Sequence, residues 1–375
     1  MNHKDKAEKG NMKLKIGFIG LGLIGGSIAK AIRQYYPECE IAAFTRDSET
    51  LTAAVKDAVI NTACTAIDDN FKACDYIFLC APVSFNTKYL VELLPYVHED
   101  CIITDVGSVK TPIHREAERI GAGKSFIGGH PMAGSEKTGY AASKSMLIEN
   151  AYYILTPTPE TAPKKIERLA AFIESLKAIP IVLDCEQHDQ ITGTISHLPH
   201  ILATGLVNFV KESDSPEEFM KRLAAGGFKD MTRIASSSPV MWQQICLENE
   251  KNIVEILEKY ILFLENMKKE IESRNEENLY EMFSSAGEYR NSIRDVSAGP
   301  IQKTFAFYCD LADEAGGIAA IATILADNKI NIKNIGIIHN REFGEGVLKI
   351  EFYEENAAAD ASKLLQKQNY MVYER

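Results

Sequence analysis

With 375 residues, 46% of them hydrophobic and 25% charged, the chain is long enough for two or three domains with buried cores. A formal net charge of -11 with no Lys/Arg block speaks against nucleic acid as a partner, and no apolar window is long enough to span a bilayer. The eight cysteines (39, 64, 74, 80, 101, 185, 246 and 309) show no CxxC pair and no metal-like spacing, so a reducing cytoplasm, no disulfide and no metal site are expected.

Residues 1–12 are polar and aperiodic and read as a flexible extension. The Lys-rich start followed by Ile16 to Ala29 imitates a signal peptide, but that run carries five glycines in a patterned order and flows into a helical segment. Leu14 to Ile19 is a short buried-strand pattern. Gly20-Leu21-Gly22-Leu23-Ile24-Gly25 follows at once and leads into a helix from about Ser27 to Tyr36. In that setting GxGxxG signals dinucleotide binding: Gly20 makes the turn, Gly22 lets backbone approach a pyrophosphate, and Gly25 lets the helix pack on the strand.

The second strand, Glu40 to Phe44, ends at Thr45-Arg46-Asp47, where an NAD site usually places an acidic residue. Arg46 is either an acceptor for a 2′-phosphate or a solvated loop residue, so NAD is expected and NADP stays open. Further strands are expected at Tyr76 to Cys80, Cys101 to Val106, Ser125 to Ile127, Ala151 to Leu155 and Ile181 to Asp184, with helices such as Lys88 to Leu94 and Lys164 to Leu176 between them. Alternating strands and helices predict an α/β fold with a Rossmann-like, doubly wound, mainly parallel sheet over residues 13–187. Its ligands bind at strand carboxyl ends, where Ala81-Pro82-Val83, Gly107-Ser108-Val109-Lys110 and Gly128-Gly129-His130-Pro131 fall.

From 188 to 295 the pattern turns all-helical. Gln190 to Val210 carries Ser196-His197-Leu198-Pro199-His200, Gly226 to Arg233 follows, and one long helix is expected from about Val240 to Glu272. Its apolar stripe (Ile253, Ile256, Tyr260, Phe263, Met267, Ile271) is more than so small a domain covers, which points to a homodimer. A linker at 296–302 leads to residues 303–375, whose order βαββαβ is the ferredoxin-like plan.

His130 stands among glycines and directly before a proline, which orients the imidazole in what reads as a fixed loop; alone, that fits a hydrogen-bonded structural histidine as well as a functional one. Taken with Gly-Leu-Gly-Leu-Ile-Gly-Gly-Ser (20–27), Asp-Val-Gly-Ser-Val-Lys (105–110) and Gly-His-Pro-Met-Ala-Gly-Ser-Glu (129–136), the chain resembles the prephenate dehydrogenase family from about residue 14 to 295. Residues 303–375 resemble an ACT regulatory domain, with Asp313 to Ile318 in place of the common Asp-x-Pro-Gly and Ala315 where proline is usual.

The resemblance implies oxidative decarboxylation of prephenate with NAD or NADP. A neutral histidine suits the role of proton acceptor, so His130 is the candidate base, with Ser108 beside the reacting hydroxyl and the nicotinamide. Arg233 is the candidate for a substrate carboxylate, because guanidinium binds it bidentately, with Asp230 one turn earlier to orient it. His197, His200, Ser135 and Glu136 are further candidate substrate residues. Gly20, Gly22, Leu23, Ile24, Gly25, Thr45, Arg46, Ala81, Pro82, Val83 and Ser108 are the candidate cofactor residues, and Trp242, the only tryptophan, is expected to pack near the mouth. For the tail, the resemblance implies tyrosine as effector at Asp313, Gly316, Gly317, Ile318, Asn331 and Asn334. Arogenate is the competing substrate, and a dinucleotide-sensing regulator is the competing class; the latter has no need of His130, Ser108 and Arg233 together.

Overall fold

The computed structural model describes residues 13–135, 137–293, 305–311, 316–339 and 346–373, and the chain divides into two compact units at Ser292. The expected extension at 1–12 and linker at 296–302 lie outside the described residues.

The first unit opens with β1 (Lys15–Ile19), α1 (Leu23–Tyr35), β2 (Glu40–Phe44), α2 (Ser48–Lys56), β3 (Thr62–Cys64), β4 (Tyr76–Leu79), α3 (Val83–Leu93), β5 (Ile102–Asp105) and α4 (Thr111–Arg119). These strands form a parallel sheet in the order β3-β2-β1-β4-β5. Its strands read as unbroken apolar runs because both faces are covered: Ile16 and Phe18 of β1 join one core cluster and Ile19 joins the other. Phe18 and Phe78 stack at 5.2 Å, and Tyr76 stacks on Phe172 at 4.4 Å, which fixes the first face against the next helix layer.

A second sheet continues past β5 through a parallel bridge between Ile103 and Phe126. It consists of β6 (Ile127–Pro131), β7 (Tyr152–Pro157) and β8 (Ile179–Val182), with α5 (Pro163–Ser175) before β8. β6 runs antiparallel to β7, and β7 parallel to β8. Here the structure corrects the expectation twice. The strand begins where Ser125 to Ile127 was expected to end, and His130 lies inside it, opposite Ile154, rather than in a loop. The glycines that suggested a loop serve close packing: a Cβ on Gly129 would sit 2.5 Å from the Asp105 carbonyl oxygen and 3.0 Å from the Tyr153 ring.

The helical part holds α6 (Cys185–Thr192), a π-helical turn (Gly193–His197), α7 (Leu198–Ser213), α8 (Phe219–Leu223), α9 (Gly226–Thr232), a 3-10 turn (Arg233–Ser236), α10 (Pro239–Glu248), α11 (Glu250–Glu272) and α12 (Glu276–Ser292). The single helix expected over 240–272 is two helices, broken at Asn249, whose φ and ψ of -110° and 25° leave the helical region while its side chain turns into the core. α12 was not anticipated, because its apolar residues keep no clean period. On α11, Ile253 is buried, but Ile261, Leu262, Phe263 and Leu264 are 45–57% exposed. No described helix is long and apolar enough to cross a membrane.

The second unit contains β9 (Phe305–Leu311), α13 (Gly317–Asp327), β10 (Asn334–His339), β11 (Gly346–Phe352), α14 (Glu355–Lys367) and β12 (Val372–Tyr373). Its antiparallel sheet has the order β10-β11-β9-β12, the βαββαβ plan read from the sequence. Phe307, Cys309, Leu348, Ile350 and Phe352 alternate onto the face that the two helices cover.

Candidate active site

The carboxyl ends of β1, β2 and β4 open onto a cavity of about 270 Å³, lined among others by Gly20, Gly22, Thr45, Arg46, Ala81 and Pro82. Gly20 has φ of +96°, and a Cβ there would press on the Cys80 and Ala81 backbone, so only glycine makes this turn. A Cβ on Gly22 would meet nothing within 4 Å, so the cradle lies open in front of the first turn of α1, whose N-cap Gly22 supplies no side-chain cap. Unpaired helix-end N–H groups beside open space suit the pyrophosphate of a dinucleotide. Leu23, Ile24 and Gly25 form that first turn but stand behind the cavity wall, where a Cβ on Gly25 would collide with the Gly20 carbonyl oxygen at 2.6 Å. Val83 begins α3 directly after Pro82 of the cavity lining.

Sequence reasoning passed over Phe85, Gly139 and Tyr140 on this wall. The Arg46 guanidinium lies 4.5 Å over the Phe85 ring, and Gly139 and Tyr140 approach from the segment after β6. Asp47 lines the cavity too, yet its carboxylate caps α2, accepting from the Glu49 N–H (3.1 Å) and the Thr50 hydroxyl (2.6 Å).

At the neighbouring strand ends, Asp105 closes β5 and holds both of its neighbours. Its carboxylate accepts from the Gly107 N–H (2.9 Å) and the Gly129 N–H (3.1 Å) and pairs with the wholly buried Lys110 ammonium, which also donates to the Gly129 carbonyl at 2.7 Å. Both backbone groups of Gly129 are thereby tied to the turn that carries Ser108, one residue before His130. An ion pair this deep is costly to break from one side, about 3–5 kcal/mol, so the two segments move as one.

His130 Nδ1 lies 2.8 Å from His188 Nε2, and His188 Nδ1 lies 2.8 Å from Asp189 Oδ1. Burial pushes the Asp189 carboxyl up, but bonds from His188 and from the Thr111 and Lys110 N–H groups hold it below the ordinary value, so it is an acceptor only. Asp189 only accepts, so His188 donates through Nδ1 and turns its Nε2 to His130 Nδ1. A proton carried on His130 Nδ1 fills that contact and leaves His130 Nε2 with a bare lone pair. Desolvation, aided by His188, Lys110 and His197, keeps the His130 ring well below its usual 6.5, hence neutral. His188 and Asp189 were legible only as an adjacent pair at a helix start, and nothing in their spacing linked them to a residue 58 positions earlier.

His197 is 1% exposed, and burial pushes it down to about 4. His200 donates from Nδ1 to the Ser196 carbonyl (2.9 Å), and its ring stacks on Trp242 with centroids 3.8 Å apart. His197 meets the same indole edge-on at 5.9 Å. Arg233 opens the 3-10 turn just beyond α9, which carries Asp230; its charge, after burial, is a cause of the lowered His200 value, so these groups share one electrostatic neighbourhood. Ser135 is exposed and accepts from the Lys137 N–H at 3.2 Å, with no bond to the histidine cluster. Glu136 lies outside the described residues. In the second unit, Gly316 (φ +97°) caps α13, which starts at Gly317, and Ile318 and Asn331 are exposed. Asn334 bonds to Glu351 at 3.2 Å, and Asp313 lies outside the described residues.

A glycine cradle at a helix end, with a neutral histidine near the carboxyl end of a strand in the adjoining sheet, defines a dinucleotide-dependent dehydrogenase whose substrate side is built from helices. The family models described as prephenate dehydrogenase nucleotide-binding domain and prephenate dehydrogenase dimerization domain match residues 28–182 and 184–285. A prephenate dehydrogenase from Bacillus subtilis is 37% identical over 357 residues, covering 95% of this chain and 96% of that one; another from Lactococcus lactis is 34% identical over 94% and 98%. Among solved structures, a prephenate dehydrogenase from Aquifex aeolicus in complex with hydroxyphenyl propionate and NAD+ is 34% identical, covers 76% of this chain and 100% of its own, and superposes with a TM-score of 0.72. The chain belongs to the prephenate dehydrogenase family.

Proposed function

We propose that the protein oxidatively decarboxylates prephenate to 4-hydroxyphenylpyruvate with NAD. The observation that carries this reading is the order Asp189–His188–His130; with its proton on Nδ1, His130 offers Nε2 as a bare base. NAD, when bound, takes up the hydride. His130 Nε2 takes the proton of the ring carbinol hydroxyl as the carbinol C–H pair departs as hydride, which leaves a ring carbonyl. The ring C–carboxylate bond then breaks, carbon dioxide leaves, and the freed electron pair passes through the ring to the carbonyl oxygen. That oxygen regains the proton from His130 and becomes the phenol hydroxyl, so charge and atoms balance. Ser108, in the turn that the Asp105–Lys110 clamp holds, is read as bonding the same hydroxyl; Arg233, with Asp230, is read as binding a substrate carboxylate, and His197 and His200 as bounding the side-chain end.

The exposed apolar side chains of α11 support a homodimer, and a cytoplasmic location follows from the substrate and cofactor. The second unit is read as a tyrosine sensor through Gly316, Gly317, Ile318, Asn331, Asn334 and Asp313. A steady-state assay of the purified protein with prephenate and arogenate against NAD and NADP, with and without tyrosine, tests the whole reading. Turnover of prephenate with NAD is expected, inhibited by tyrosine and insensitive to it once residues 300–375 are removed. No NAD reduction with prephenate overturns the assignment, and tyrosine inhibition that survives the truncation moves the effector to the active site.

A further inference from the structure

Asn249, at the break between α10 and α11, is 3% exposed and belongs to no motif. Its Nδ2 lies 2.9 Å from the Asp189 carbonyl oxygen and 3.1 Å from His197 Nδ1, and its Oδ1 accepts from Asn252 at 2.7 Å. A carbonyl oxygen only accepts, so the end of the amide that faces it must be the NH2 end. The second N–H of that group then points at His197 Nδ1, which is an acceptor. Burial keeps His197 neutral, so its one proton sits on Nε2. That atom is buried and has no hydrogen-bond partner among the described residues, a state that natural cores avoid unless something else takes the bond.

We propose that Asn249 is a positioning residue for the reaction: it fixes the His197 tautomer so that Nε2–H is presented as a neutral donor to an oxygen of the bound substrate. This rests on the reading of the site given above. The arrangement has a clear logic. A neutral donor binds an anion without placing a second cation near His130, whose role requires it to stay uncharged. The segment is also tied to the base, because the amide that orients His197 holds the backbone of Asp189, the residue that orients His188 and through it His130.

Asn249→Asp reverses the polarity while keeping the shape. The carboxylate accepts from Nδ1, the neutral ring turns its Nε2 lone pair towards the substrate, and only the protonated ring restores a donor there. The ionisable groups around His197 are Asp189 and His188 on α6, His200 on α7 and His130 on β6, and none is altered. In Asn249→Asp the KM for prephenate should rise about tenfold or more above neutral pH and recover as pH falls, with kcat changed less and the KM for NAD unchanged. In a His197→Phe background the same substitution should add nothing to KM, a non-additivity that a merely structural asparagine does not give. Nitrogen-15 NMR of histidine-labelled protein reads the tautomer without turnover: protonated Nε2 and bare Nδ1 in the wild type, reversed in Asn249→Asp. A wild-type His197 protonated on Nδ1, a pH-independent KM in Asn249→Asp, or additive effects in the double variant would overturn the proposal. Failure of the wild type to oxidise prephenate sinks the functional reading instead and leaves the tautomer result standing.

Discussion

The histidine cluster and the outer face of α11 lie in the same compact unit, yet they are built on opposite terms. Around His130 the Asp105 and Asp189 carboxylates, the Lys110 ammonium and both backbone groups of Gly129 have partners, and ring nitrogens of His130, His188 and His197 lie within hydrogen-bond distance of fixed groups. On α11 four consecutive large apolar residues, Ile261 to Leu264, stand about half exposed. The first region is closed by groups of this chain, and the second leaves apolar area open that the proposed second copy would cover.

The sharpest way to break that contrast is at the base itself. His130→Asn should lower kcat about 10²-fold or more while leaving NAD affinity nearly intact, measured by steady-state kinetics and cofactor titration. Near-normal turnover would reduce the histidine to a strand residue. His188→Phe keeps the ring volume but removes the acceptor for His130 Nδ1; a smaller loss, about tenfold in kcat with little change in the prephenate KM, is expected from a base freed to take either tautomer. An unchanged kcat would show that His130 needs no orientation.

On the other side of the comparison, replacing Leu262 and Phe263 by Glu should halve the mass measured by light scattering. Each such side chain buried against a copy contributes about 1.5–3 kcal/mol, and two introduced charges oppose the contact. An unchanged mass, or a monomeric wild type, would show that the face is not a subunit interface. The smallest effect is on stability. His114 and His197, 3% and 1% exposed, are both lowered to about 4, chiefly by desolvation. Between 6.5 and about 4 the unfolded chain binds protons that the folded chain refuses. Stability is therefore fully present above 6.5 and falls as pH drops through that window, by about 1.4 kcal/mol per unit for each histidine. His114→Gln should take about 1.4 kcal/mol per pH unit off the slope seen in urea unfolding over that window, and an unaltered slope would remove that ring as a source.

The contrast also explains what could be read from the chain before its structure. Gly20, Gly22 and Gly25 announced the cofactor cradle because their roles depend on neighbours within a few residues. The alternation of β9, β11 and their helices was legible for the same reason. His130 was singled out correctly but placed in a loop, because glycines weaken strand patterns; only the approach of Asp105, 24 positions away, explains why Gly129 must be glycine in a strand. His188, Asp189 and Asn249 carry no periodic or motif signal, and their meaning comes from contacts 52 to 79 residues distant in sequence. The break at Asn249 was missed because no proline or glycine marks it.

Nitrogen-15 NMR of histidine-labelled enzyme near pH 8 tests the central claim most directly, since it reports where the proton of His130 resides. The account predicts a neutral ring protonated on Nδ1, with Nε2 bare and facing the substrate. A ring protonated on Nε2, or on both nitrogens, would contradict it.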